Sequence, residues 1–227
     1  MKREIILDTE TTGLDPTNGH RLIEIGCVEV IDAIRTGQVF HRYLNPERHV
    51  PAEAERVHGI NTDFLLNKPI FAQVVDNFLA FIADSTLVIH NAAFDMKFIN
   101  SELGMLGFKP ISMERTLDTV LLARKKFPGA PASLDALCKR FNIDLGGRIK
   151  HGALLDAELL ADVYLELQGG RQTALGLSAN DSQPLTNTAV QTTGEFIPPR
   201  DFSPSEAELD AHAAMVKRLK NPVWESA

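Results

Sequence analysis

Residues 5–15 read I-I-L-D-T-E-T-T-G-L-D, and the way Asp8 and Glu10 are understood decides the fold. Ile5, Ile6 and Leu7 are an unbroken apolar run, the pattern of a strand covered on both faces. Side chains alternate along a strand, so Asp8 and Glu10 point to one face, roughly 7 Å apart. Two like charges on one face beside an apolar core raise each other's pKa and cost stability. A cation offsets that cost, so the pair reads as part of a metal platform at the end of a strand over 3–7.

Outward from this strand, residues 21–31 alternate apolar positions as a second strand, and 38–44 as a third joined to it by a turn around Gly37. Together they predict a meander. Residues 51–58 read as a helix stopped by Gly59, and 70–83 as a helix with Phe71, Val74, Val75, Phe78, Leu79 and Ile82 at helical spacing. A short apolar strand over 86–90 follows, then helices over 93–106, 119–126, 133–141 and 154–167. In the last of these, Leu155, Leu159 and Val163 mark the buried side. Strands first, then helices alternating with strands, predict an α/β or α+β layer with a mixed sheet.

At Gly169-Gly170 the composition changes. Residues 171–202 are rich in Gln, Thr, Ser, Asn, Gly and Pro without periodicity, the composition of a flexible linker. Ser203-Pro204-Ser205-Glu206 then has the form of a capping box with Pro at the first helical position. The helix it opens, 204–220, carries Leu209, Ala213, Val216 and Leu219 on one face. With no core of its own to cover, that face suits docking on a partner. The expected organisation is a domain over 1–168, a linker over 169–202 and a docking helix and tail over 203–227.

Charge limits the partners. Residues 1–168 carry 18 Lys and Arg against 23 Asp and Glu, a net of −5, and 169–227 carry 5 against 7, a net of −2. No basic face announces long-range attraction to nucleic acid, so such a partner has to be held locally, by metal ions or by another protein. Cys27 and Cys138 fit no zinc or redox spacing, which suggests a reducing compartment. The N-terminus is too short in apolar residues for a signal peptide, and no run approaches the roughly 18 residues that span a bilayer. A cytoplasmic protein with no membrane association is expected.

Two further stretches supply companions for Asp8 and Glu10. In H-N-A-A-F-D, 90–95, a strand runs into a polar loop and Asp95 falls in the first turns of the next helix. Alone, Asp95 also reads as a helix-start carboxylate facing the macrodipole. In H-G-A-L-L-D-A-E-L-L-A-D-V-Y, 151–164, Asp156 borders an apolar face, where an unpaired carboxylate is expensive. His151 precedes it on the entering loop and, alone, is an ordinary loop histidine. As a set, four carboxylates converging on hard cations can support in-line phosphoryl displacement, with a histidine taking the proton of the attacking water.

The ordered triple D-T-E, H-N-A-A-F-D and H-x4-D resembles the DEDDh 3′→5′ exonucleases, with no departure at the five acidic or histidine positions. D-T-E-T-T-G-L, V-H-G-I, S-L-D-A-L-C-K-R-F-N-I and H-G-A-L-L-D-A-E-L-L-A-D-V-Y-L-E-L are most similar to the proofreading-subunit branch of that family, which serves bacterial DNA polymerase III. The similarity covers essentially 1–170, and the tail matches in layout. The resemblance implies a ribonuclease H-like fold, with a mixed five-stranded sheet and helices on both faces, followed by a flexible tail ending in a docking helix. It implies that Asp8, Glu10, Asp95 and Asp156 hold two Mg²⁺ or Mn²⁺ ions, with Asp8 bridging, and that His151 is the general base. Asp8, Glu10 and Asp156 thereby also contact the substrate. Glu53 and His58 would lie near the terminal nucleotide, and Thr11, Leu14 and Asn91 would line the site. For Asn91 a loop cap is an equal reading.

The same resemblance supplies partners: a frayed or single-stranded DNA 3′ end, the polymerase catalytic subunit, and a small accessory subunit. Gln172, Leu175 and Leu177 resemble the Gln-x-x-Leu-x-Leu peptide that binds sliding clamps, and Leu209, Val216, Leu219 and Trp224 the segment that docks on the catalytic subunit. Two other functions fit the core motifs. A free-standing relative that trims RNA 3′ ends would have no use for the tail. A catalytically silent interaction module would have lost a ligand or the base, and none is lost.

Overall fold

In the computed structural model, which describes residues 1–145, 150–170 and 204–218, the first strand runs straight through the paired carboxylates. β1 spans Arg3–Thr11, not 3–7, because its neighbour pairs with it as far as Thr11↔Leu22. Asp8 and Glu10 thus sit inside a hydrogen-bonded ladder that fixes their backbone. β2 (Leu22–Ile31) and β3 (Ile34–Tyr43) complete the antiparallel meander.

The β2–β3 turn is at Asp32-Ala33, both with positive φ (49° and 66°), and not at Gly37. Ile31 and Ile34 pair directly across it, so it is a two-residue hairpin turn of the kind whose twist matches its strands. Gly37, at φ 83°, lies instead within β3, where the register shifts between Val28 and Val30. Its left-handed backbone serves that bulge.

Four short or medium helices and two strands follow: α1 (Ala52–His58), stopped by Gly59 at φ 79°, α2 (Thr62–Leu65), α3 (Phe71–Ile82), β4 (Thr86–Ile89), α4 (Ala92–Met105) and β5 (Thr116–Asp118). α5 (Thr119–Lys126), α6 (Leu134–Phe141) and α7 (Ala153–Leu167) complete this unit. The sheet order is β3-β2-β1-β4-β5, with β4 parallel to β1 and β5 parallel to β4. It is therefore the mixed five-stranded sheet expected. β5, only three residues long, has no periodicity by which to be read.

Alternation along β1 builds both faces. Ile5 and Leu7 pack with Phe78 of α3 and Phe98 and Ile99 of α4, while Ile6 packs with Ala157, Leu160 and Tyr164 of α7. Asp8 and Glu10 share the parity of Ile6 and so belong to the α7 face. α7 is buried on two sides: Leu159, Val163 and Leu167 pack against Leu137 and Cys138 of α6 and Ala123 of α5. Leu155, expected on the buried side, is 38% exposed, because the helix turns its Asp156 side inward at that level.

Gly26 of β2, which pairs with Asp8, permits the approach of α7 to the sheet. A Cβ there would lie 2.4 Å from the backbone of Ala153 and Leu154. A side-chain-free position in a strand interior, usually a weakness, is here where another backbone comes close.

The described residues of the tail form a separate unit, α8 (Glu206–Val216). Its capping box is Ser205 with Glu208, two residues beyond the one expected at Ser203: the Ser205 hydroxyl faces the Glu208 N–H, and the Glu208 carboxylate accepts from the Ser205 N–H at 2.8 Å. Pro204 precedes the cap and is not the first helical residue. Leu209 is exposed and Val216 half-buried. Gln172, Leu175, Leu177, Leu219 and Trp224 lie outside the described residues.

Candidate active site

Two local rules deliver the four carboxylates. Asp8 and Glu10 are two apart on β1, so the pleat aims both at one face. Asp95 is in the first turn of α4, directly after the parallel strand β4, and Asp156 in the first turn of α7. Parallel pairing of β1 with β4 puts the ends of both strands on one edge, the place where open α/β sheets bind ligands.

Asp95 and Asp156 are each 3% exposed and Glu10 9%. Burial, followed by the charges of Asp95, Glu10, Asp156 and Glu24, holds the Asp8 carboxyl well above its ordinary range. Burial likewise pushes Asp95 up to about 7, against hydrogen bonds that favour its ionised form, chief among them that donated by the Thr9 hydroxyl to Oδ1 at 2.6 Å. Carboxylates from three elements are thus crowded, and burial favours the protonated forms of Asp8 and Asp95. Hard oxygen donors with an excess of negative charge fit a divalent cation.

His151 sits on the loop before α7, where its N–H donates to the Val57 carbonyl, and it is exposed. Its Nδ1 lies 3.1 Å from Asp156 Oδ2. Among the described residues, Glu10, His151 and Asp156 have ligand atoms all within 4.8 Å of one another. Asp8 and Asp95 stand beside that trio, so the four carboxylates read from the sequence share one site but not one tight cluster.

Two cavities are lined by β1 carboxylates, one by Asp8 and one by Glu10. One, of about 240 Å³, is lined by Asp8, His90, Ser133, His151 and Asp156. The other, of about 510 Å³, is lined by Glu10 and by Thr11, Leu14, Glu53 and His58, the expected substrate contacts, with Val57 and Phe94. Leu14 is 83% exposed, an apolar side chain standing at the cavity rim. His58 is buried; its Nδ1 accepts from the Ile60 N–H at 3.0 Å, which puts the ring proton on Nε2. Burial, then the charge of Lys150, lowers its pKa to about 4, so it is a neutral hydrogen-bonding group. Asn91 is not in either cavity.

The loop after β1 is tied to the helix that carries Asp95. Lys97 pairs with Asp15 at 2.8 Å, and Arg21 makes a two-pronged contact with Glu102 at 2.7 and 2.9 Å. Both ion pairs join the loop that lines the larger cavity to α4, which carries Asp95.

Several contributors escape sequence reading. Glu24, 2% exposed and bonded to His41 Nε2 at 2.7 Å, lies opposite Glu10 and adds its charge to the site. Only the cross-strand register places it there. Thr9 sits between the two carboxylates of D-T-E and serves Asp95 from the opposite face. Gly26 does carry a signal, a lone glycine inside an apolar strand.

The Exonuclease (RNase_T) family matches residues 5–164. DNA polymerase III subunit epsilon of Rickettsia felis is 56% identical over 223 residues, covering 96% of each chain. The subunit of the same name from Rickettsia conorii is 49% identical over 222 residues, again 96% of each. That of Escherichia coli K12 is 49% identical over 199 residues, 84% of this chain and 82% of the other. Among solved structures, exonuclease X in complex with 5′-overhanging duplex DNA superposes with a TM-score of 0.58 at 27% identity, over 74% of this chain and 91% of that one. The nuclease domain of 3′hExo, a DEDDh family member bound to rAMP, superposes at 0.63 and 19% identity over 74% and 92%, a likeness of fold.

Proposed function

The chain belongs to the Exonuclease (RNase_T) family, and on that premise we propose that it is the proofreading 3′→5′ exonuclease of a replicative DNA polymerase III. The observation that carries this reading is the convergence of Asp8, Glu10, Asp95 and Asp156, with His151 against Asp156, at the junction of two cavities. The residues that hold metal are those four carboxylates, and two Mg²⁺ or Mn²⁺ ions are the expected complement. When bound, such ions stabilise the attacking and leaving oxygens of an in-line displacement.

The chain's own groups do the rest. The larger cavity takes the 3′-terminal nucleoside, with Leu14, Val57 and Phe94 against the base and neutral His58 as a hydrogen-bond donor through Nε2. Thr11 and Glu53 complete its wall. With Nδ1 of His151 turned to Asp156, Nε2 is the atom that takes the proton from the attacking water. The P–O3′ bond breaks, releasing a nucleoside 5′-monophosphate and a shortened 3′-OH end. The His151 side chain is exposed, which suits a base that must meet the incoming substrate.

Selectivity needs no reading of base identity. Only an unpaired end enters, and unpairing costs a few kcal/mol for a matched terminus and less for a mismatched one. Affinity is lent by the polymerase: α8 and the segment to Trp224 dock on the catalytic subunit, residues 172–177 engage the sliding clamp, and tethering makes capture of the primer intramolecular. A small accessory subunit completes the expected assembly in the cytoplasm. Among the described residues no helix is long and apolar enough to cross a membrane. The RNA-trimming and silent-module readings are not favoured, since the relatives match over the tail as well as the domain.

The test is a primer–template pair differing only at the 3′ terminus. Removal of the mismatched nucleotide should outpace removal of the matched one, and the gap should close on the single-stranded primers. Equal rates on the two duplexes would remove the proofreading role.

A further inference from the structure

Phosphates need cations, and among the described residues the two cavities at the carboxylates are lined by neither lysine nor arginine. A third cavity, of about 420 Å³, adjoins the Asp8–Asp156 cavity through the shared His90 and Ser133. Arg124 lines it. This side chain is exposed on α5 and has no hydrogen bond or ion pair among the described residues.

Asn91 lines the same cavity. Its backbone is left-handed, φ 67° and ψ 54°, and its side chain makes no capping bond to α4. Asp118 caps that helix instead, accepting from the Asn91 N–H at 3.3 Å and the Ala92 N–H at 3.1 Å. The loop-cap reading of Asn91 is thereby replaced: a carboxylate from β5 does the capping, and the Asn91 carboxamide remains at the cavity wall. A non-glycine residue in this conformation carries strain, most tolerable for Asn.

The cavities follow one another. Glu10 lines the first and has its carboxylate within 4.8 Å of His151 and Asp156 of the second, and His90 with Ser133 joins the second to the third. A strand with its last nucleoside in the first cavity and its scissile phosphate at the carboxylates continues into the third.

We propose that the third cavity is the subsite for the nucleotide on the 5′ side of the cut, with Arg124 pairing to its phosphate and the Asn91 carboxamide bonding to the same nucleotide. The planar guanidinium suits a two-pronged phosphate contact, and it brings a positive charge to the far end of this path. The subsite rests on the exonuclease reading above.

The experiment compares wild type, Arg124→Ala and Arg124→Lys with Mn²⁺ on two substrates. One is a short single-stranded oligothymidylate. The other is the p-nitrophenyl ester of thymidine 5′-phosphate, which places nothing but the leaving group beyond the scissile bond. Arg124→Ala should lower kcat/KM on the oligonucleotide about tenfold, and flatten the slope of log(kcat/KM) against log[salt] by about 0.7, the share of one phosphate contact on a single strand. The ester should be hydrolysed as by wild type. Arg124→Lys should keep the salt slope and recover part of the rate. An active wild type with Arg124→Ala unchanged on the oligonucleotide, or slowed equally on both substrates, would overturn the subsite alone. Wild type inert on both substrates would overturn the exonuclease reading and the subsite with it.

Discussion

Asp95 concentrates the energetics of the site in one side chain. Its folded pKa of about 7 exceeds the ordinary 3.8, chiefly through burial. A carboxyl raised in this way stabilises the fold below its unfolded pKa, and that contribution is lost as pH climbs through the folded value. Between pH 4 and 7 the unfolded chain has released this proton while the native protein retains it. Asp95→Asn keeps an acceptor for the Thr9 hydroxyl and removes the ionisation. In EDTA, its unfolding free energy relative to wild type should therefore increase from pH 4 to pH 7 and level off above, as read by denaturant titration at each pH. Mn²⁺ should raise the Tm of wild type more at pH 8 than at pH 5, since binding needs the ionised carboxylates, and should barely move that of the variant.

At the scale of elements, β2 and α7 meet at Gly26, and the position of Asp156 and His151 depends on how closely they meet. Gly26→Ala would press a methyl group into the Ala153–Leu154 backbone at 2.4 Å. Destabilisation of about 1–3 kcal/mol is expected from such overpacking, seen in urea unfolding, with kcat falling more than KM because α7 retreats from the carboxylates and not from the nucleoside cavity. This contact was readable only in part. The helix read over 70–83 declared itself by 3.6-residue periodicity, and D-T-E, H-N-A-A-F-D and H-x4-D named the chemistry. The extent of β1 did not, because carboxylates in an apolar strand contradict the periodic rule that finds strands. The Asp32-Ala33 turn was masked by Gly37, a stronger punctuator with a different task. The α8 cap slipped by two residues because Ser203 and Ser205 both precede an acidic residue three positions on, and only Glu208 closes the box. Glu24 and Thr9 act across strands and faces, a relation that sequence order does not carry.

For the whole molecule, a net charge of −7 sets the division of labour. An acidic nuclease has little general affinity for DNA, so on the function proposed above it depends on its site and on the polymerase that tethers it. The described residues fall into two units, with every carboxylate and both cavities of the site in the first. A chain ending at residue 170 should keep the kcat of the full chain on single-stranded oligonucleotides. It should lose mismatch removal in a reconstituted polymerase at concentrations where the full chain is effective, a difference measurable by primer extension from a mismatched end. The central claim is that paired carboxylates on β1 exist to hold the metal that drives 3′→5′ hydrolysis. The most direct test follows a 5′-labelled single-stranded DNA with Mn²⁺ or EDTA, using wild type and Asp8→Asn. A ladder shortening from the 3′ end with Mn²⁺, absent in EDTA and slowed at least about a thousandfold in the variant, is the expected result; shortening that survives EDTA, or an Asp8→Asn protein as fast as wild type, would contradict it.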